Sequence, residues 1–419
     1  MLYLLFAIYF VAGCYLVNRI PFIKNTGLDS AAISMLFILK VCAGLLIGWM
    51  SQKYYPQGND YWNLNTAGQK EYQLLLSDPA LFFKEIFVSS YPNGYEGFFN
   101  AVGTYWNDLK NTMIGKLLGV FNIFSRGNYY INSLFLNFFG FFGHVALYRV
   151  FSDIYKSGKW ALVAGCFLLP STLYFSSGIH KDLVVFCLLG LFSYCLYFSL
   201  RKGFNTRYFF MMLISFTGLL LMRNFLAIAI IPASIGLVSC FYIKRNGLVI
   251  FTSVYLACFA MLLLLHALYP AFNPLHIIIQ RQQDFQNLPE ASSQFQAINL
   301  EPTLKSFFIH APQAIASGFF RPAVWNAETI FLIPLAIELH IYVLSCLLMF
   351  ILYKRNGAAM NNFLLWGLFI AFFMLLLTGY IVPNTGSLVR YRSLYLPFLM
   401  TPVCWYLYHY FQKKIHINI

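Results

Sequence analysis

Arg390 and Arg392 stand two residues apart in Pro383-Asn384-Thr385-Gly386-Ser387-Leu388-Val389-Arg390-Tyr391-Arg392, between apolar runs at 363–382 and 394–411. Two guanidinium groups at a membrane boundary are costly to place without anionic partners. Arginine presents a planar fork of donors that suits phosphate and pyrophosphate. The preceding Pro-Asn-Thr-Gly-Ser supplies turn residues and backbone N–H groups that can approach an anion closely. The chemistry this stretch suggests is pyrophosphate binding, with Tyr391 as a further site candidate. The plainer reading is a solvated loop whose arginines touch lipid headgroups.

Other polar clusters fall between apolar runs. Asp60 sits in Gln57-Gly58-Asn59-Asp60-Tyr61-Trp62-Asn63, where the two rings could stack on a sugar face. Ser176-Ser177-Gly178-Ile179-His180-Lys181-Asp182 packs a base, an acid and an imidazole into one short connection. Arg223-Asn224 interrupts an otherwise apolar region at 209–240 and reads either as a site or as a two-residue turn. Arg321-Pro322, with Trp325 and Glu328, precedes an apolar run that carries Glu338 and His340. Glu338 lies roughly 15 Å below Glu328 at helical rise, a depth at which an acid needs a partner. Lys40, inside another apolar run, is a candidate for that partner.

A carboxylate or neutral imidazole can serve as general base for a hydroxyl nucleophile. Asp60, His180, Asp182 and Glu328 are the candidates. Asp182 follows Lys181, so an ion pair or a helix cap competes with catalysis there. Glu328 could simply pair with Arg321. His180, in a tight turn, and Asp60, flanked by aromatic rings, stay level as the base. Lys181, Arg223, Arg321, Arg390 and Arg392 are the candidate pyrophosphate ligands. No GxxxxGK[ST], HExxH, GxSxG or CxxC motif occurs, so ATP-driven transport and metalloprotease chemistry have no support. The nine cysteines all lie in apolar runs without metal-ligand spacing. Neither a metal nor a cofactor is expected.

These groups must be positioned by membrane helices. Of the 419 residues, 60% are hydrophobic and only 10% are charged. A soluble domain carries about 25% charged residues. The net charge of +14 lies largely in short loops, which is a topology signal and not a nucleic-acid footprint. The apolar N-terminal run lacks a basic region before it and reads as a first membrane helix, not a removed signal peptide.

The expected fold is an all-α integral membrane protein, residues 1–419 forming a single polytopic domain. Eleven spans are expected, at 2–17, 29–50, 129–149, 160–176, 183–200, 208–222, 225–243, 247–268, 329–353, 362–382 and 393–411. With the N-terminus outside, the inside segments 18–28, 150–159, 201–207, 244–246, 354–361 and 412–419 each hold at least two basic residues. Two long outer loops follow, 51–128 and 269–328. The first should contain a short helix near 66–76 and an interfacial or re-entrant stretch at 113–124. The Gly44–Gly48 spacing reads as ordinary helix packing.

At Pro170-Ser171 through His180-Lys181-Asp182, at Phe320-Arg321-Pro322 with Trp325, Ala327 and Glu338, and at Asn384-Thr385-Gly386 through Arg390-Tyr391-Arg392, the chain resembles a loosely related set of bacterial inner-membrane proteins from surface-polysaccharide gene clusters. These are O-antigen or capsule polymerases and glycosyltransferase-like proteins. Asp60-Tyr61 is similar to the first loop of membrane glycosyltransferases of the GT-C kind. His180 and Asn326 depart from the pattern, which has a more hydrophobic residue and an acid there.

The resemblance implies polymerisation of oligosaccharide repeat units, as in lipopolysaccharide or capsule, from undecaprenyl pyrophosphate on the periplasmic face. It implies an undecaprenyl-linked glycan donor and acceptor, membrane lipid and a chain-length regulator as partners, and no nucleic acid. The N-terminus would be periplasmic and the C-terminus cytoplasmic. Two alternatives stay open: a transferase using a polyprenyl-monophosphate sugar, centred on Asp60, and a non-enzymatic transporter or flippase of lipid-linked glycan. A flippase should carry charge deep in several spans. Here the deep charges are few, which favours an enzyme.

Overall fold

The computed structural model describes residues 1–54, 59–87, 104–270, 272–287, 293–326, 329–352 and 361–417. Among the described residues the regular structure is helical, and the only extended pairing is one antiparallel bridge, Gln294 to Asn384. Eight helices are long and apolar enough to cross a membrane: Leu2–Arg19, Ser30–Tyr54, Tyr129–Tyr155, Lys181–Lys202, Asn224–Tyr242, Gly247–Leu268, Ile330–Leu352 and Asn362–Ile381. The chain is a multi-pass, all-helical membrane protein.

Three expected spans take other forms. The 160–176 run is two short helices, Lys159–Phe167 and Pro170–Phe175. Proline lacks an N–H and disfavours helix at the residue before it, so the break falls at 168–169. The 208–222 run is the 17-residue apolar helix Thr206–Met222. The 393–411 run lies inside a 33-residue helix, Thr385–Ile417, which carries Pro397 and Pro402 within it.

The chain divides into two compact units. The first comprises Met1–Asp153 and Leu173–Asn224, and the second Ile154–Thr172 and Phe225–Ile419.

In the first unit, the long connection after Ser30–Tyr54 is itself helical. The short helix expected at 66–76 runs Asp60–Ser77, and the stretch at 113–124 runs Tyr105–Ser125. A buried amide ladder ties these two helices to Tyr129–Tyr155. Asn132 Nδ2 donates to Asn65 Oδ1 at 2.9 Å and to Asn122 Oδ1 at 2.7 Å. Buried amides cost free energy unless paired, so such a ladder fixes which faces meet. Lys116 adds ion pairs to Glu71 at 2.8 Å and Glu85 at 3.2 Å. An apolar cluster of Ile114, Leu118, Tyr129, Leu136, Ile179 and Leu183 lies beneath, with Tyr61, Trp62 and Leu64 packed against it.

In the second unit, the connection at 269–328 docks on the start of Thr385–Ile417. Phe295 N donates to Pro383 O, and Thr385 N donates to Ser293 O, each at 2.9 Å. The helices Leu304–Phe320 and Asn362–Ile381 approach closely where Gly318 meets the Leu375 carbonyl. Gln57 and Gly58 of the Asp60 segment, together with Ala327 and Glu328, lie outside the described residues.

Candidate functional site

Five of the sequence candidates lie within the first unit. His180 is the N-cap of Lys181–Lys202, with Nδ1 accepting from the Asp182 backbone N–H at 3.1 Å. The same Nδ1 lies 3.0 Å from Asp182 Oδ2. The backbone contact holds the ring in one orientation, with Nε2 facing Asp60, whose Oδ2 is 3.8 Å away. Which nitrogen carries the proton is a matter of tautomer and not of ring position. The Tyr61 ring centroid is 5.1 Å from that of His180.

Asp182 is fully buried, and Arg223 compensates its charge. Arg223 Nη2 and Nε donate to Asp182 Oδ1 at 2.5 and 3.1 Å. Asp182 thus pairs with a residue 41 positions away, whereas the sequence suggested the adjacent Lys181. Arg223 caps the end of Thr206–Met222, so Arg223-Asn224 is a helix junction as well as an ion-pair partner. Lys181 Nζ donates to Asn111 Oδ1 at 2.8 Å, joining the site to Tyr105–Ser125.

Exposure separates the two candidate bases. The His180 side chain is 4% exposed and that of Asp60 is 66% exposed. Asp60 is also the first residue of its helix, where Asn59 Oδ1 accepts from the backbone N–H groups of Tyr61 and Trp62 at 3.1 and 3.4 Å. A carboxylate in the first turn is favoured by the helix macrodipole. The arrangement is a reachable carboxylate backed by a buried imidazole, which is held by the Asp182 backbone N–H beside a buried, arginine-paired carboxylate. Chemically it can accept a proton from a polar group bound over Asp60 and Tyr61.

Arg321, Arg390, Arg392, Tyr391 and Glu338 all belong to the second unit. Arg390 and Arg392 lie on the opening turns of the Thr385–Ile417 helix, where a loop was expected. Asn384 explains the difference, because its Oδ1 accepts from Ser387 N at 2.9 Å and caps the helix. The turn-forming residues start a helix instead of spacing two. Arg392 is buried, and its Nη1 donates to the carbonyls of Gly318, Phe319 and Arg321 at 3.1, 3.0 and 2.9 Å.

Helix ends leave carbonyls without intrahelical partners. Arg392 therefore closes the C-terminal end of Leu304–Phe320. Arg321 lies over the Phe295 ring at 3.8 Å, and Arg390 over Tyr391 at 5.6 Å. Tyr391 is buried edge-on against Phe225 and Phe285.

Glu338 is buried and accepts from the Ser171 backbone N–H at 2.9 Å and from the Tyr342 hydroxyl. The Arg392 guanidinium also acts on it electrostatically. Its partners lie in its own unit, and those of Lys40 lie in the first: the Ser176 and Ser177 hydroxyls and His144. The sequence reading singled out neither His144 nor the serine contacts. Two polar residues at the middle of two apolar runs are the signal that would have paired Lys40 with His144.

Arg392→Ala should strand the three carbonyls and lower stability by about 1–3 kcal/mol, read as earlier thermal unfolding in detergent. An unchanged transition would remove Arg392 from the support of that helix end.

No protein-family model matches the chain, and neither a curated protein nor a solved structure does.

Proposed function

We propose that this protein is a membrane glycosyltransferase that polymerises lipid-linked oligosaccharide repeat units on the extracytoplasmic face of a bacterial inner membrane. The observation that carries the reading is the Asp60–His180–Asp182–Arg223 constellation: a solvent-reachable carboxylate with a buried imidazole behind it, in a multi-pass membrane protein. Such a pair suits removal of a proton from a sugar hydroxyl.

In the proposed reaction the acceptor hydroxyl loses its proton to the Asp60 carboxylate as its oxygen attacks the anomeric carbon of the donor. The bond from that carbon to the pyrophosphate oxygen breaks, and polyprenyl pyrophosphate leaves. Asp60 then returns the proton to solvent. His180 and Asp182 position Asp60, and Arg223 neutralises Asp182. Tyr61 offers a face for sugar stacking.

The test is the purified protein in detergent with a synthetic polyprenyl-pyrophosphate repeat unit, its products read by mass spectrometry. Multiples of the repeat support the reading. Single-sugar transfer from a polyprenyl-monophosphate sugar alone would shift it to that donor class. Absence of any covalent product, with lipid-linked glycan crossing vesicle membranes, would replace the enzyme with a flippase.

Orientation belongs to the same reading, with the N-terminus outside and the C-terminus inside. Gln296 and Asn205 are both exposed in the structure. In a background without the nine native cysteines, Gln296→Cys should react with an impermeant thiol reagent applied to intact cells, and Asn205→Cys should not. Labelling at Asn205→Cys alone would reverse the topology.

A further inference from the structure

We propose that Lys40 is a positioning residue for the Asp60–His180 pair, acting through one face of the Ser30–Tyr54 helix. The proposal rests on the functional reading above only for what the pair does, not for how it is held.

Lys40 is 1% exposed, about 15 Å along its helix from Ser30. Among the described residues no carboxylate lies within ion-pair distance of it. A charge at such depth is retained only where it does something specific. Its ammonium donates to the Ser176 carbonyl and to the hydroxyls of Ser176 and Ser177 at 3.2 and 3.4 Å, and it meets His144 Nε2 at 3.3 Å. His144 Nε2 in turn lies 2.9 Å from the Ser176 hydroxyl. These contacts clamp the start of the Ser176-Ser177-Gly178-Ile179-His180 turn, whose last residue is the imidazole of the site.

Residues at i, i+4 and i+8 share one helix face, and the next two positions on this face are glycines. Gly44 lets the helix reach both the turn and the Tyr129–Tyr155 helix, since a Cβ there would lie 3.0 Å from Gly178 N and 2.3 and 2.8 Å from Asn137 Nδ2 and Ser133 Oγ. Gly178 has φ +80°, which glycine adopts without strain. Gly48 faces the other half of the site. Its carbonyl accepts from Trp62 Nε1 at 3.0 Å, and Trp62 stacks on Tyr129 at 4.3 Å. Trp62 lies in the first turn of the helix that Asp60 opens. One face of one helix therefore grips both the turn that carries His180 and the turn that carries Asp60. The Gly44–Gly48 spacing has a use beyond generic packing: it is the template on which the pair is set.

The experiment uses full-length protein in detergent with 15N-labelled histidine. The chain has eight histidines, and the signals of His180 and His144 are assigned by their loss in His180→Ala and His144→Ala. Lys40→Met should move the His144 and His180 signals and leave the others in place. If the functional reading holds, kcat should fall about 100-fold with KM nearly unchanged, as expected when a reacting group is displaced by about an ångström.

Gly44→Ala, which keeps Lys40, is the second variant and should also move the His180 signal. A His180 signal unmoved in both variants overturns the positioning role, whatever the turnover. Movement of all eight signals overturns it as well, because that reports general loosening. If the wild type shows no glycan transfer and His180 still moves selectively, positioning stands and the functional reading falls.

Discussion

Asp60→Asn is expected to lower repeat-unit transfer by about 10²–10⁴-fold while donor binding persists. The amide keeps the shape of the carboxylate and removes its ability to take a proton. The side chain is 66% exposed, so the substitution leaves no buried group unsatisfied and the fold should survive. His180→Ala should reduce kcat less, because the imidazole is buried behind Asp60 and orients it. The pair should also be non-additive: once Asp60 is Asn, removing His180 should cost little more, as for groups that act as one unit. Wild-type turnover in Asp60→Asn would exclude it as the base. Equal and fully additive losses would give His180 an independent chemical role.

Arg223→Met is expected to be the most destabilising single change in the site. Asp182 is 0% exposed, and Arg223 holds its Oδ1 with two donors at 2.5 and 3.1 Å. Breaking a buried pair from one side costs about 3–5 kcal/mol, because the remaining charge stays desolvated. Thermal unfolding in detergent should move to lower temperature by on the order of 10 °C. Adding Asp182→Asn should recover part of that loss, since the stranded charge is then gone. Should Arg223→Met melt with the wild type, the pair does not anchor the end of the Thr206–Met222 helix.

Much of the helical plan is legible in the sequence, because apolar runs of span length declare themselves without partners. Helix ends are less so. Pro383-Asn384-Thr385-Gly386 has the composition of a turn, but the same residues cap helices, and only the Asn384–Ser387 contact decides between the two. Pro170 marks the break in the 160–176 run, yet the run is apolar enough to read as one span.

The candidate site shows the same division. Asp60, His180, Asp182 and Arg223 stand out individually as charges or an imidazole in the connections between apolar runs. That Asp182 pairs with Arg223 is a tertiary fact that spacing cannot supply. Arg392 was singled out for a guanidinium fork that could bind phosphate, and the structure turns part of that fork onto backbone carbonyls. Lys40 was legible as a misplaced charge but not as a clamp, because its partners include a backbone carbonyl and two hydroxyls, which no charge pattern reveals.

The most direct measurement of the central claim is the length of the surface glycan made by cells whose only copy of this protein is wild type, Asp60→Asn or deleted. Polymerisation predicts a ladder of repeat units with the wild type. With the deletion and with Asp60→Asn it predicts single repeat units on their lipid carrier at the outer face. An unchanged ladder in the deletion, or repeat units trapped at the inner face of the membrane, would contradict it.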